Sequence, residues 1–233
     1  MLEPIFSAID RVFIQEDRWR HWISGLQATL MITFFALLLG LFIGFMIAFT
    51  RVTRDTMEKP PILFRLLNIV CKTYVSVIRG IPMVLQLLIM NFVILAASRN
   101  GVLIASLAFG FNSGAYISEI FRGGILSIDR GQMEAGRSLG LSYRLTMIKI
   151  ILPQAVKNCL PTLGNEFITL LKETSIAGYV AIRDLTFVGN IIRARTFDPS
   201  PLFFVAAIYL ILVLILEHLV GKMERRLRKS DQR

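Results

Sequence analysis

EAGRSLGLSYRLTMIKIILP, Glu134 to Pro153, is a charged and glycine-broken stretch in a chain that is otherwise largely apolar. Glu134, Arg137, Arg144 and Lys149 exclude it from hydrocarbon, because a charge near the bilayer centre costs roughly 2.5–3.5 kcal/mol. It still has order. Leu141, Leu145, Ile148 and Leu152 recur at helical spacing, which predicts a short amphipathic helix. Gly140 separates that helix from a second short piece, Asp129 to Leu139, and Pro153 falls early in whatever helix follows, where its missing N–H does little harm. The stretch therefore predicts two short helices, a glycine hinge and one apolar face at a membrane surface, with a soluble partner as the natural cover for that face.

The surrounding composition supports a membrane setting. The chain has 233 residues, is 55% hydrophobic and has a mean hydropathy of +0.63. Its net charge of +10 does not point to nucleic acid, since the basic residues lie between long apolar runs rather than on one soluble face. Cys71 and Cys159 are far apart and outside any CxxC motif, so they predict buried thiols. His21 and His218 are isolated, which leaves no metal set. Glu3, Asp10, Arg11 and Glu16 precede the first apolar run, unlike the basic start of a cleaved signal peptide.

Apolar runs predict an all-α membrane protein with five spans, at about 22–50, 74–97, 102–121, 153–173 and 200–221, in one domain whose loop covers about 122–152. Trp22 to Thr50 holds no charge, and Trp19 and Trp22 stand where interfacial anchors belong. Gly40 and Gly44 form a GxxxG pattern, read most simply as packing within the chain. A short helical piece is expected around Ala181 to Arg195. Five spans put the termini on opposite sides. Arg51–Arg79, Arg122–Lys149 and the tail from Lys222 hold 6, 5 and 6 of the 26 lysines and arginines, against 3, 1 and 4 in the alternate segments. The positive-inside rule then sets the N-terminus outside and the C-terminus and the loop in the cytoplasm.

At these residues the chain resembles the ABC-importer permeases. Glu134, Ala135, Gly140, Ile150, Leu152 and Pro153 fall at the spacing of that family's EAA loop. Gly136 departs from it, standing where a second alanine is usual; both residues are small, so the packing is expected to survive with a less rigid helix. AYISEIFRGGILSIDRGQ (Ala115–Gln132), VIRGIPMVLQL (Val77–Leu87) and LLKETSIAGYV (Leu170–Val180) are similar to segments of the permeases for polar amino acids of the histidine, glutamine and arginine type. The resemblance implies a five-helix subunit of the bacterial cytoplasmic membrane, paired with a second permease subunit that is identical or paralogous. It implies two cytoplasmic ATPase subunits that hold the ATP and Mg, and an extracytoplasmic binding protein that delivers the amino acid. It implies no catalytic residue here, and the chain has no GxxxxGK[ST] loop of its own.

Coupling is the family role of the loop. Glu134, Ala135, Gly136 and Arg137 would sit close to the ATPase, Gly140 would hinge, and Leu141, Leu145 and Ile148 would anchor. An amphipathic helix resting on lipid is the plain alternative. In the fourth span Asn158, Thr162, Glu166 (with Asn165), Thr169 and Glu173 share one face, and Pro161 and Gly164 interrupt it. Asn165, Glu166 and Thr169 are candidate lining of the translocation path, and Glu166 is the candidate partner of a substrate ammonium. A structural hydrogen bond from Glu166 to another span stands beside that reading. Asn112 and Tyr116 in the third span are further path candidates, with Glu119 an equal candidate for an ion pair with Arg122. A permease for another small polar solute, a secondary transporter and a channel remain as alternatives. A membrane enzyme is disfavoured by the lack of a His cluster or HExxH.

Overall fold

The computed structural model describes residues 10–55 and 60–231, with side chains for 12–54 and 60–227. The rest of the polar N-terminal segment, Lys59 and the end of the basic tail lie outside the described residues. Among the described residues all regular structure is helical. Short turns at Asp10–Ile14 and Gln15–Asp17 lead into α1 (Arg18–Asp55). There follow α2 (Ile62–Gly80), α3 (Met83–Ile89, extended by a π turn at Met90–Ile94), α4 (Gly101–Leu126), α5 (Arg130–Ser138) and α6 (Tyr143–Thr146). A π turn at Met147–Ile151 feeds α7 (Leu152–Glu173), and α8 (Leu185–Thr196) and α9 (Ser200–Asp231) complete the chain.

Among the described residues three helices are long and apolar enough to cross a membrane, within Val12–Arg54, Gly101–Leu126 and Ser200–Leu227. The bent pair Ile62–Gly80 and Met83–Ile94 makes a fourth if counted as one span. The run expected as one helix over 74–97 is thus broken at Gly80–Pro82. Proline has no N–H to donate and pushes the residue before it out of the helical region. Pro82 sits at φ −55° and ψ 137° and starts α3 instead. α7 has 22 residues, enough to span, but carries Lys157, Glu166, Lys172 and Glu173.

The chain divides into two compact units, to both of which α1, α4, α7 and α9 contribute residues. The first comprises Met1–Leu39, Ile81–Gly110 and Ile168–Ile215. Its core joins Ile32 and Ala36 of α1, Leu87 of α3, Ala105, Ala108 and Phe109 of α4 and Leu170 of α7. A second cluster gathers Trp22, Leu185, Val188, Ile192 and Val205. Trp22 is therefore not an interfacial anchor. It is 4% exposed, donates its indole N–H to the Val12 carbonyl at 3.0 Å and stacks on Phe13. An indole that finds an internal acceptor has no need of the headgroups; Trp19 remains outward. Asp184 caps α8, accepting from the amides of Thr186 (3.0 Å) and Phe187 (2.9 Å), and Leu185 N–H donates to Thr29 Oγ1.

The second unit comprises Gly40–Gly80, Phe111–Phe167 and Leu216–Arg233. Here the GxxxG pattern of α1 meets α4. A Cβ added at Gly40 would stand 3.1 Å from Ser113 Cβ, and one at Gly44 would stand 2.5 Å from Ile117 Cγ2. Glycine lets the two backbones approach to that distance. The same contact places Ile47, Val75 and Ala115 in one cluster. At the end of this contact Arg51 pairs with Glu119, which also accepts from Arg122 at 2.7 and 2.9 Å. Cys159 is buried, Cys71 half-buried, and both are free thiols.

Candidate functional site

The loop between α4 and α7 is closed at every turn. Asp129 caps α5, its carboxylate accepting from Gly131 N–H at 2.6 Å. α5 ends in a Schellman motif. Gly140 N–H donates to the Arg137 carbonyl and Leu141 N–H to that of Gly136, at 3.0 and 3.1 Å. The motif needs a left-handed residue, and Gly140 supplies it at φ +82°. Ser142 then caps α6, accepting from Leu145 N–H, while the Thr146 hydroxyl donates to the Ser142 carbonyl at 3.1 Å. Leu152 N–H reaches back five residues to Met147. Pro153 cannot donate to Lys149, and the wide turn precedes it.

Gly136 fills a packed position, and the structure shows why glycine stands there. It faces inward and is buried, and a Cβ added there would stand 2.5 Å from Thr146 Cγ2 and 2.9 Å from Thr146 Oγ1. Thr146 itself is fully buried. Alanine is not an even exchange in this chain, because the threonine occupies the space its methyl would take. Glu134, Ala135, Arg137 and Gly140 are exposed, and Leu141 is half-buried. Leu145 and Ile148 face outward, as does Leu139, 81% exposed, which the set at helical spacing from Leu141 to Leu152 left out.

Among the path candidates Asn112 is buried and Tyr116 is 38% exposed. Glu166 accepts a 2.8 Å hydrogen bond from Ser113 Oγ, the bond to another helix that stood as its alternative role. Asn158, Thr162, Asn165 and Thr169 form an exposed stripe on α7, and Glu166 turns aside from it to reach α4. Asn112, Tyr116, Asn165 and Glu166 all belong to the second unit; Thr169 belongs to the first. Arg79 lies over the Tyr116 ring, 5.0 Å from its centroid. Ser113 and Thr146 were missed by sequence reading. Each is a small hydroxyl residue opposite a glycine, a pairing visible only once the helices are placed. Among the described residues no three His, Cys, Asp or Glu side chains gather into a metal set.

Residues 62–229 match the family model described as the binding-protein-dependent transport system inner membrane component. The arginine transport system permease protein ArtQ of Bacillus subtilis is 36% identical over 213 residues, 90% of this chain and 93% of that protein. The L-cystine transport system permease protein TcyB of the same organism is 33% identical over 225 residues, covering 95% and 92%. The crystal structure of an amino acid ABC transporter with histidines superposes with a TM-score of 0.80 at 37% identity, covering 89% of this chain and 94% of that one. With both halves of the loop and its flanking helices inside the matched region, the chain belongs to the inner-membrane permease components of binding-protein-dependent ABC transporters.

Proposed function

We propose that this chain is the permease subunit of an ATP-driven importer of polar amino acids, with five spans, its N-terminus outside and its C-terminus in the cytoplasm. The observation that carries the coupling role is the loop itself. Two capped short helices, closed by Gly140 and seated on Gly136 and Thr146, hold Leu139, Leu145 and Ile148 outward. An apolar row on a rigid, charged element outside the bilayer suits the groove of a soluble protein. Each ATPase of a pair, binding ATP and Mg, would engage one such loop, on this chain and on a second permease subunit. The fifth span is α7, whose polar residues are tolerated where they face a water path or another helix rather than lipid. Asn112, Tyr116, Asn165, Glu166 and Thr169 line that path in this reading. An amino acid as cargo is supported by the arginine and cystine relatives and by the amino acid transporter of similar fold.

Reconstitution tests it. The chain, its ATPase and its binding protein are placed in liposomes, and uptake of a panel of labelled amino acids is followed. Uptake that needs ATP, the ATPase and the binding protein is the expected result. Uptake by the chain alone, driven by an ion gradient, would overturn it and favour a secondary transporter.

A further inference from the structure

Arg79 has no part in the coupling loop or in the Glu166 contact. It occupies the last turn of α2, one residue before the break at Gly80–Pro82. Its guanidinium lies over the face of Tyr116, and the side chain is exposed. Two arginines on the neighbouring helices α1 and α4, Arg51 and Arg122, both pair with Glu119. Among the described residues no carboxylate pairs with Arg79. An unpaired cation in an apolar segment is costly against lipid, so such residues face water or protein and mark ion and substrate routes. The ring contact has a further consequence. Cation–π attraction is electrostatic and uses no oxygen acceptor, so the guanidinium's N–H donors, the fork that matches a carboxylate, can still meet one. Tyr116 lies one turn from Asn112 on α4, which adds a carboxamide to the same helix face.

We propose that Arg79, held on Tyr116, is a carboxylate-recognising site on the translocation path, taking the α-carboxylate of the amino acid in transit. This rests on the permease reading above. An arginine that merely snorkels to the headgroups needs no ring and no water path.

Gly80 provides the reporter, because a Cβ added there meets nothing within 4 Å. Gly80→Cys is made in a chain carrying Cys71→Ser and Cys159→Ala, and the assembled transporter is treated in inside-out vesicles with two thiol reagents. One carries a sulfonate and the other a trimethylammonium group. The sulfonate should react about fivefold faster, and Arg79→Gln should bring the two rates together. In liposomes of the full complex, Arg79→Gln and Tyr116→Ala should each lower amino acid uptake per ATP hydrolysed about tenfold, with Tyr116→Phe near wild type and Arg79→Lys between. A Gly80→Cys thiol that neither reagent reaches, a rate ratio unmoved by Arg79→Gln, or normal uptake in Arg79→Gln overturns the site. Failure of the permease reading would look different: the unaltered complex would show no ATP-dependent uptake at all.

Discussion

Gly136→Ala should destabilise the loop in the natural chain and stabilise it once Thr146 is shortened. The new methyl would arrive 2.5 Å from Thr146 Cγ2 and 2.9 Å from its Oγ1. Thr146 has nowhere to retreat, since it is fully buried and its hydroxyl is committed to the Ser142 carbonyl. Overpacking of this kind costs about 1–3 kcal/mol. Against that, alanine is better than glycine inside a helix by about 0.8–1 kcal/mol. The net loss is about 1 kcal/mol, with overpacking at the middle of its range. In a Thr146→Ala background the two closest atoms are gone and only the residue 146 Cβ, 3.3 Å away, still presses on the new methyl, so the same substitution should gain up to about 1 kcal/mol. Thr146→Ala alone loses a hydrogen bond worth about 0.5–1.5 kcal/mol net. The interaction energy of the pair is therefore about 2 kcal/mol, well above the few tenths found for independent sites. Amide hydrogen exchange of the 134–146 segment in the purified transporter reads it directly. The Leu141 amide, bonded to Gly136, should open about fivefold faster in Gly136→Ala and about fivefold slower when Gly136→Ala is added to Thr146→Ala. An effect of the same sign in both backgrounds would refute the packing account.

Three further perturbations bear on the same machinery. Gly140→Ala keeps the Schellman bonds but forces a side chain into φ +82°, which costs about 1–2 kcal/mol; uptake per ATP should fall while assembly with the ATPase persists, whereas Gly140→Pro, which also loses the N–H bonded to Arg137, should abolish one or the other. Glu166→Gln preserves an acceptor for Ser113 and removes only the charge, so a correctly assembled transporter with uptake reduced about tenfold is expected, and unchanged uptake and ATPase stimulation would reject a substrate contact. Burial pushes the Asp184 carboxyl above its ordinary 3.8, against the pull of the Phe187 and Thr186 amides. Its raised folded value means that its contribution to stability is full below the unfolded pKa and is lost as pH rises through the folded one. The thermal midpoint of the wild type should therefore fall, relative to Asp184→Asn, from pH 4 upward, and parallel curves would reject the assignment.

Much of this architecture is written in local pattern. The loop's caps and its glycine turn follow from Asp129, Ser142 and Gly140, residue types whose preferences act over three or four positions. The helix over Leu185–Thr196 announces itself in the same way, through Asp184. The break at Gly80–Pro82 was also present as a Gly-Ile-Pro sequence, but hydropathy averaged over a window conceals a local stop. What could not be read is whatever depends on two helices meeting. Trp22 looked like an interfacial residue because nothing in its neighbourhood reveals Val12 as its acceptor or Phe13 and Phe204 as its companions. That glycine rather than alanine fits at position 136 could not be read, because Thr146, which fills the space, is ten positions away. Ser113 looked like an ordinary small residue of a span until Glu166, 53 positions on, was found to be its acceptor.

The second unit also alters how a push on the loop would travel. A flexible Gly140 joining two independent helices would let α4 and α7 move apart. The contacts bind them instead. Asn158 donates to Ser127 Oγ at 2.9 Å, and Ser127 in turn donates to the Gly124 carbonyl. A Cβ added at Gly124 would lie 3.0 Å from the Ala155 carbonyl, so the two helices touch backbone to backbone at the base of the loop. The Cys159 thiol donates to the Ile120 carbonyl, and farther along Ser113 bonds Glu166. Helices fixed to one another at several levels respond as one body, because packed interfaces shift between discrete arrangements rather than deform smoothly. α1 is attached to the same body through Gly40 against Ser113, Gly44 against Ile117 and Arg51 on Glu119. Gly140 is then better understood as a turn that fixes the shape of the loop than as the point of bending, and in the coupling role proposed above a displacement at Leu139, Leu145 and Ile148 would carry Asn112 and Glu166 along with the parts of α1, α4 and α7 that belong to this unit.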